Sequence, residues 1–422
     1  MKRLIPIIVL LMTNFPLRAQ NAKTVDLEGA LNLSAGTESR AVEGSANFTD
    51  AIYLFSPSLL AVSRFSPRTQ VLADYVPEFQ MFGEHRELNS WNHSARLGVI
   101  RKFSSRFSLD VADSFLSTTD PSRQLANSFL LLPRSRYQEN AFYIRGDYSL
   151  SPLTTLSIRF DNTVIRYGLA AEFRERFPDQ MGNAWTATLA RRLNDSQKFT
   201  ASYTLLKLTI LDSPGLQPDA GSSIPGPTHY FTVAYLNSVR PDLTVGVSAG
   251  MIRAAEFSYA LSGQIRKRLG SLWFDAEYAR TLSFFGGQAF GGPGSPQLGR
   301  GLLANNLYEL VTLGASGQLG SRLDLSLRVT GSRTGSGLGG LTGRSLTAAL
   351  RLDYRLRGEA TLYTAAEFYS QNLNNFPGAP RSRHRFYVGI ELSLGRRRPA
   401  LGAVSQALPA SVPIQTSGNE EE

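Results

Sequence analysis

The side chains of this 422-residue chain that could do chemistry come mostly as charges two positions apart. Arg145 and Asp147, Arg159 and Asp161, and Arg351 and Asp353 each flank a single residue, and Asp275 and Glu277 repeat the spacing with two acids. Arg96, Asp110, Asp324, Arg328, Arg355 and Glu391 fall on the polar parity of their own segments. A spacing of two puts side chains on one face of a strand. A face carrying both signs can create a transverse field that orients and screens polar solutes, as charged rings do in pores. It can equally hold pairs that only satisfy one another in a wet wall, and the residues alone leave both readings open.

Catalysis finds little support. The four histidines, His85, His93, His229 and His384, are scattered and sit in no nucleophile motif. Paired histidines and the HExxH spacing are both missing, so no metal, cofactor or enzymatic activity is expected. The remaining enzymatic reading is a barrel hydrolase whose site assembles from residues distant in sequence. There is no cysteine, which excludes disulfides, thiolate metal sites and a lipidated N-terminal cysteine. The glycine-rich stretch Phe285–Leu302 lacks the strand-to-helix context of a phosphate cradle. It is the longest connection, and either folds into a channel mouth or lies outside as an external loop.

The elements that position the charges are strands. In Asn140–Tyr167, Phe142, Ile144, Gly146, Tyr148 and Leu150 alternate with Tyr143, Arg145, Asp147 and Ser149. After Ser151-Pro152 the alternation resumes with Leu156, Ile158 and Phe160. This is a hairpin with one apolar and one charged face. Tight turns recur at Ser66–Arg68, Ser104–Arg106, Ser151–Leu153, Asn194–Ser196, Arg240–Asp242, Leu269–Ser271, Gly320–Arg322 and Arg357–Glu359. Their repeat of roughly 42 residues leaves two strands and one long Gly/Pro/Asn/Ser-rich connection in each interval. Adding Thr24–Ser34 and Arg385–Leu394 at the ends gives about 18 strands. Sixteen stays open, because Ala41–Phe65 and Met251–Phe257 are weakly punctuated. A β-propeller would share the repeat, but its strands are short. Leu323–Ser332 and Leu346–Leu356 alternate over ten residues or more, the roughly 9–11 that a tilted strand needs to cross a bilayer.

Lys2 and Arg3 precede the short apolar run Ile5–Met12, so residues 1–19 read as an export signal cut after Ala19. Residues 20–395 form the barrel, and 396–422 a disordered periplasmic tail rich in Pro, Ala and Ser. Beyond residue 20 no apolar run suffices for a membrane helix. The net charge of +10 is carried almost wholly by dispersed arginines, so nucleic-acid binding is not expected. Arg134, Arg136, Arg174, Arg176, Arg381 and Arg383 gather on the long-connection side, where lipopolysaccharide phosphates are one partner and plain solubility another.

Periodicity cannot say whether the apolar face meets lipid or a second sheet. The export signal, the strand length, the contrast of short and long connections, and aromatics near strand ends decide for lipid. Those aromatics are Trp91, Phe103, Tyr137, Trp185, Phe199, Tyr354 and Phe386. In lipid every backbone polar group must pair, so the sheet closes on itself. The expected fold is an all-β transmembrane antiparallel up-and-down β-barrel.

The last strand sharpens this. Tyr387, Gly389, Leu392 and Leu394 resemble the polar-x-Gly-x-x-hydrophobic-x-hydrophobic signal that ends outer-membrane β-barrels. Residues 24–394 as a whole resemble that porin-like class of Gram-negative proteins. The chain departs from the pattern in closing the motif on leucine and in continuing to Glu422. The resemblance implies residence in the outer membrane, contact with its lipid and lipopolysaccharide, insertion by the barrel-assembly machinery, and a channel for small polar solutes. A fainter similarity to β-barrel porins associated with exopolysaccharide export implies an export conduit with periplasmic and inner-membrane partners. A plugged structural or enzymatic barrel is the third reading. Solute and oligomeric state are not encoded in any motif.

Overall fold

A computed structural model of the chain describes residues 24–42, 47–120, 134–168, 179–211, 226–254, 257–282, 307–334, 342–356, 359–374 and 380–394. The segments read as export signal, tail and glycine-rich mouth loop (Phe285–Leu302) lie outside them, as do Arg174 and Arg176. The described residues form strands β1 Thr24–Val42, β2 Phe48–Ser66, β3 Thr69–Phe82, β4 Ser90–Lys102, β5 Phe107–Thr118 and β6 Arg136–Ser151. There follow β7 Thr154–Gly168, β8 Gln180–Arg192, β9 Gln197–Ile210, β10 Thr228–Arg240, β11 Leu243–Arg253 and β12 Phe257–Leu269. The series ends with β13 Leu272–Leu282, β14 Leu307–Gln318, β15 Leu323–Thr334, β16 Thr342–Arg355, β17 Ala360–Asn374 and β18 Pro380–Leu394. One 3-10 turn, Arg86–Leu88, interrupts them.

Each strand pairs antiparallel with the next, and β18 pairs with β1, so the sheet of 18 closes into an up-and-down barrel. Closure removes the edges that an open sheet would expose. The two weakly punctuated regions each resolve into a hairpin, β1–β2 and β11–β12, which settles the count at 18 rather than 16. Even-numbered strands enter odd ones through tight turns at one end. In the Leu269–Leu272 turn, Gly270 adopts φ +62, a conformation that side chains with a Cβ rarely take and that tight hairpins demand.

The apolar parity points outward. Ile158, Met251, Val311 and Leu313 are each half-exposed or more despite lying in mid-sheet. An apolar exterior with a polar interior is the arrangement of a barrel that spans lipid. Trp91, Phe103, Trp185, Phe199, Tyr354 and Phe386 are exposed on this side. Tyr137 departs from that expectation: it is 1% exposed and turned inward, because β6 presents its odd positions to the lumen from Tyr137 through Asp147.

The β18–β1 seam is locked by side chains as well as by backbone pairing. Tyr363 on β17 stands opposite Gly389 on β18. It passes over that glycine, and its hydroxyl donates to Asn32 Oδ1 on β1 at 2.8 Å. A Cβ on Gly389 would lie 2.5 Å from the Tyr363 ring, so only glycine leaves the path open. Tyr387 in turn stands opposite Gly36 of β1. Leu392 is half-buried, and the backbone of Leu394 pairs with Gly29.

Candidate functional site

The lumen has two layers. In the short-turn half, charges form separate patches on the inward face. On β4–β7 the patch holds Arg96, Asp110, Arg145, Asp147, Arg159 and Asp161. Asp110 faces Arg145 in register, and Tyr143 donates to the Asp110 carboxylate at 3.1 Å. Arg145 pairs with Asp147 at 2.9 Å and Arg159 with Asp161 at 2.5 Å. These pairs run along each strand. Across the wall Arg145 opposes Arg159, so two like charges, and not an ion pair, face each other there. The Arg159 guanidinium instead covers the Tyr143 ring at 4.3 Å.

A second patch lies on β15–β18. Arg351 bridges Asp353 at 2.7 Å and Glu391 at 3.2 Å and covers the Tyr363 ring. Arg355 reaches Asp324 at 2.6 Å. Arg328 lies on the same inward parity of β15, exposed to the lumen. Asp275 and Glu277 face inward from β13, with Glu277 buried.

Towards the long connections the lumen becomes dense. Tyr137, Tyr167, Tyr230, Tyr308 and Tyr369 are all buried on the inward face, as are Ile165, Leu206, Ile252 and Leu310. Leu206, Tyr230, Ile252 and Ala260 pack as one cluster. Tyr308 on β14, Tyr167 on β7 and Tyr369 on β17 enter this layer from strands spread around the ring. This layer narrows the interior.

Beside it sits a buried ion network at the β18–β1 seam. Glu38 accepts from Arg40 at 3.0 Å and from Arg385 Nε at 2.8 Å. Asp120, which follows β5, reaches across the lumen and accepts from Arg383 at 3.1 Å and Arg385 at 2.5 Å. Arg134, just before β6, approaches both acids at 3.7 and 3.8 Å and donates to the Leu88 carbonyl at 2.9 Å. Its guanidinium lies over the Phe82 ring. Both ends of the β5–β6 connection are thereby fastened to the β18–β1 wall, about a quarter of the way round the ring. Burial pushes the Asp120 carboxyl up, but Arg383, Arg385, Arg134 and Arg40 outweigh it and hold the pKa well below the usual carboxylate range. Arg134 and Arg383, grouped from sequence with loop arginines that serve either lipopolysaccharide phosphate or solubility, are engaged inward instead.

A second fastening lies at β2. The Asp50 carboxylate accepts the backbone N–H groups of Glu84 and His85 at 3.0 and 2.8 Å, and contacts His85 Nδ1 at 3.0 Å. It holds the residues that lead into the Arg86–Leu88 turn, whose Leu88 packs against the buried Ile52, Phe82, Tyr363 and Tyr387.

Neither the dense layer nor the network was visible as a motif. The layer had a sequence signal: at Leu205-Leu206 and Met251-Ile252 both parities are apolar, so the alternation stops there. The network had none, since Asp120 and Arg385 come together only through closure of the ring.

No family model matches the chain, and no curated protein does. Several solved structures resemble it. The outer membrane protein opdK from Pseudomonas aeruginosa is 12% identical, with 87% of this chain and 99% of that one covered and a TM-score of 0.47. Pseudomonas aeruginosa OccK2 (OpdF) is 13% identical, with 88% and 99% covered and a TM-score of 0.49. The siderophore receptor PirA from Pseudomonas aeruginosa is 12% identical, with 89% and 82% covered and a TM-score of 0.46. The strand register, and not these likenesses, establishes the fold.

Proposed function

We propose that the chain is an outer-membrane channel that passes small polar solutes semi-selectively through a lumen narrowed on its long-connection side. One observation carries this reading: the ring of 18 strands is closed, apolar outside and charged inside. A ring of that number encloses more space than its own wall side chains fill. The charged patches on β4–β7 and β15–β18 supply the polar path, and the tyrosine layer with the seam network sets its narrowest level. Tyr387, Gly389, Leu392 and Leu394 serve the assembly machinery as the insertion signal, and Tyr363 over Gly389 couples that strand to ring closure.

Purified protein added to planar lipid bilayers is expected to give discrete conductance steps, smaller than those of a wide open pore. Absence of steps above background, with insertion verified by protease protection, would overturn the channel reading and leave a sealed barrel.

A further inference from the structure

The outer face of β13–β16 carries four charges in one cross-strand row. Arg280 stands opposite Glu309, Glu309 opposite Arg333, and Arg333 opposite Arg344. All four lie on the outward parity, since their neighbours Ala279, Tyr308, Ser332 and Ser345 are buried inside. The next outward row towards the tight turns is Tyr278, Val311, Gly331 and Leu346, and the one after it is Ala276, Leu313, Val329 and Ala348. One side-chain step, about 7 Å along a strand, therefore separates the charges from an unbroken apolar band. They sit at its long-connection border.

The one acid in the row is already engaged. Glu309 pairs with Arg280 at 2.5 Å, and Arg280 also covers the Tyr259 ring at 4.0 Å. Arg333 and Arg344 are left facing each other, both exposed, with no ion pair or hydrogen bond among the described residues. Residues 335–341, which join their strands, include no acid. Like charges directly opposite on paired strands repel. An anion seated between them would turn that repulsion into two charge-assisted forks, the geometry in which guanidinium holds phosphate.

We propose that Arg333 and Arg344, with Arg280 beside them, bind a phosphomonoester of outer-leaflet lipopolysaccharide, whose acyl chains lie along the Val311, Leu313 and Leu346 wall. A doubly ionised monoester neutralises two opposed arginines, whereas a phospholipid diester carries one charge. The inference rests on the outer-membrane placement proposed above.

The test uses the full chain in detergent, with binding of diphosphoryl lipid A, dephosphorylated lipid A and phosphatidylglycerol read by native mass spectrometry. The comparison is with the R333A/R344A double variant, and R333K/R344K serves as a second, charge-retaining one. The expected result is that the alanine variant binds diphosphoryl lipid A on the order of tenfold more weakly. The lysine variant is expected to fall between, and phosphatidylglycerol binding to stay unchanged. Equal lipid A binding by wild type and alanine variant would overturn the proposal. So would equal affinity of wild type for the dephosphorylated lipid, or equal competition by phosphatidylglycerol. Heat-modifiable gel mobility checks that each variant is folded. Insertion of the wild type into vesicles is scored separately, so a failed membrane placement is told apart from a failed phosphate site.

Discussion

Arg385 touches both carboxylates of the seam network, Glu38 at 2.7 Å and Asp120 at 2.5 Å, from a fully buried position. Removing it leaves two buried acids short of a partner, and breaking a buried pair in this way costs roughly 3–5 kcal/mol. Arg385→Ala is therefore expected to lower the unfolding free energy by about that amount in denaturant titrations of the micelle-bound barrel. Asp120 makes the same network sensitive to acid. Its carboxyl is held low by four arginines, so its contribution to stability is fully present above the unfolded pKa of about 4. It is lost as pH falls through the lower folded value. Unfolding midpoints measured from pH 7 down to 2 are expected to drop below about pH 4 in the wild type. Asp120→Asn is expected to flatten that part of the profile.

At the level of the strand, alternation carried most of what could be read in advance. Leu323 to Thr330 shows how: Leu, Leu, Leu and Val on one parity, Asp, Ser, Arg and Thr on the other. Lipid outside and water inside exert opposite demands every second residue, so the pattern survives in a single sequence. The two environments can be tested by one substitution on each face. Leu313→Arg, on the outward face, is expected to destabilise the folded barrel by about 2–4 kcal/mol. Ser326→Arg, exposed on the lumen side, is expected to cost less than about 1 kcal/mol; equilibrium refolding into vesicles measures both. The reading failed where the inside is not water. Tyr137, Leu206 and Ile252 are buried inward, and at that level both faces want apolar side chains, so parity loses its meaning. Charge partners were similarly out of reach. Arg145 could be placed on a face, but whether it met Asp147 along its own strand or an acid on the neighbour depended on side-chain geometry that spacing does not specify.

For the molecule as a whole, the two layers divide the labour of the proposed channel. The patches near the tight turns keep the passage wet, and the tyrosine layer limits its width. Tyr308 projects into that layer from β14, which lies between β7 and β17 in the ring order, and packs with Ala279 and Leu310. Tyr308→Ala is expected to raise single-channel conductance by roughly twofold while the ring stays intact, and bilayer recordings at fixed salt decide it. The pairing of β18 with β1 carries a further consequence. Every intermediate on the way from Thr24 to Leu394 is a ribbon with two raw borders, each a row of amide groups without a mate. Hydrocarbon does not tolerate such borders, so a product that stops before Pro380 has no resting place in the bilayer. Completion of synthesis is thus inspected by the solvent itself, and the Tyr363 hydroxyl on Asn32 is the latch that clicks only on a finished chain.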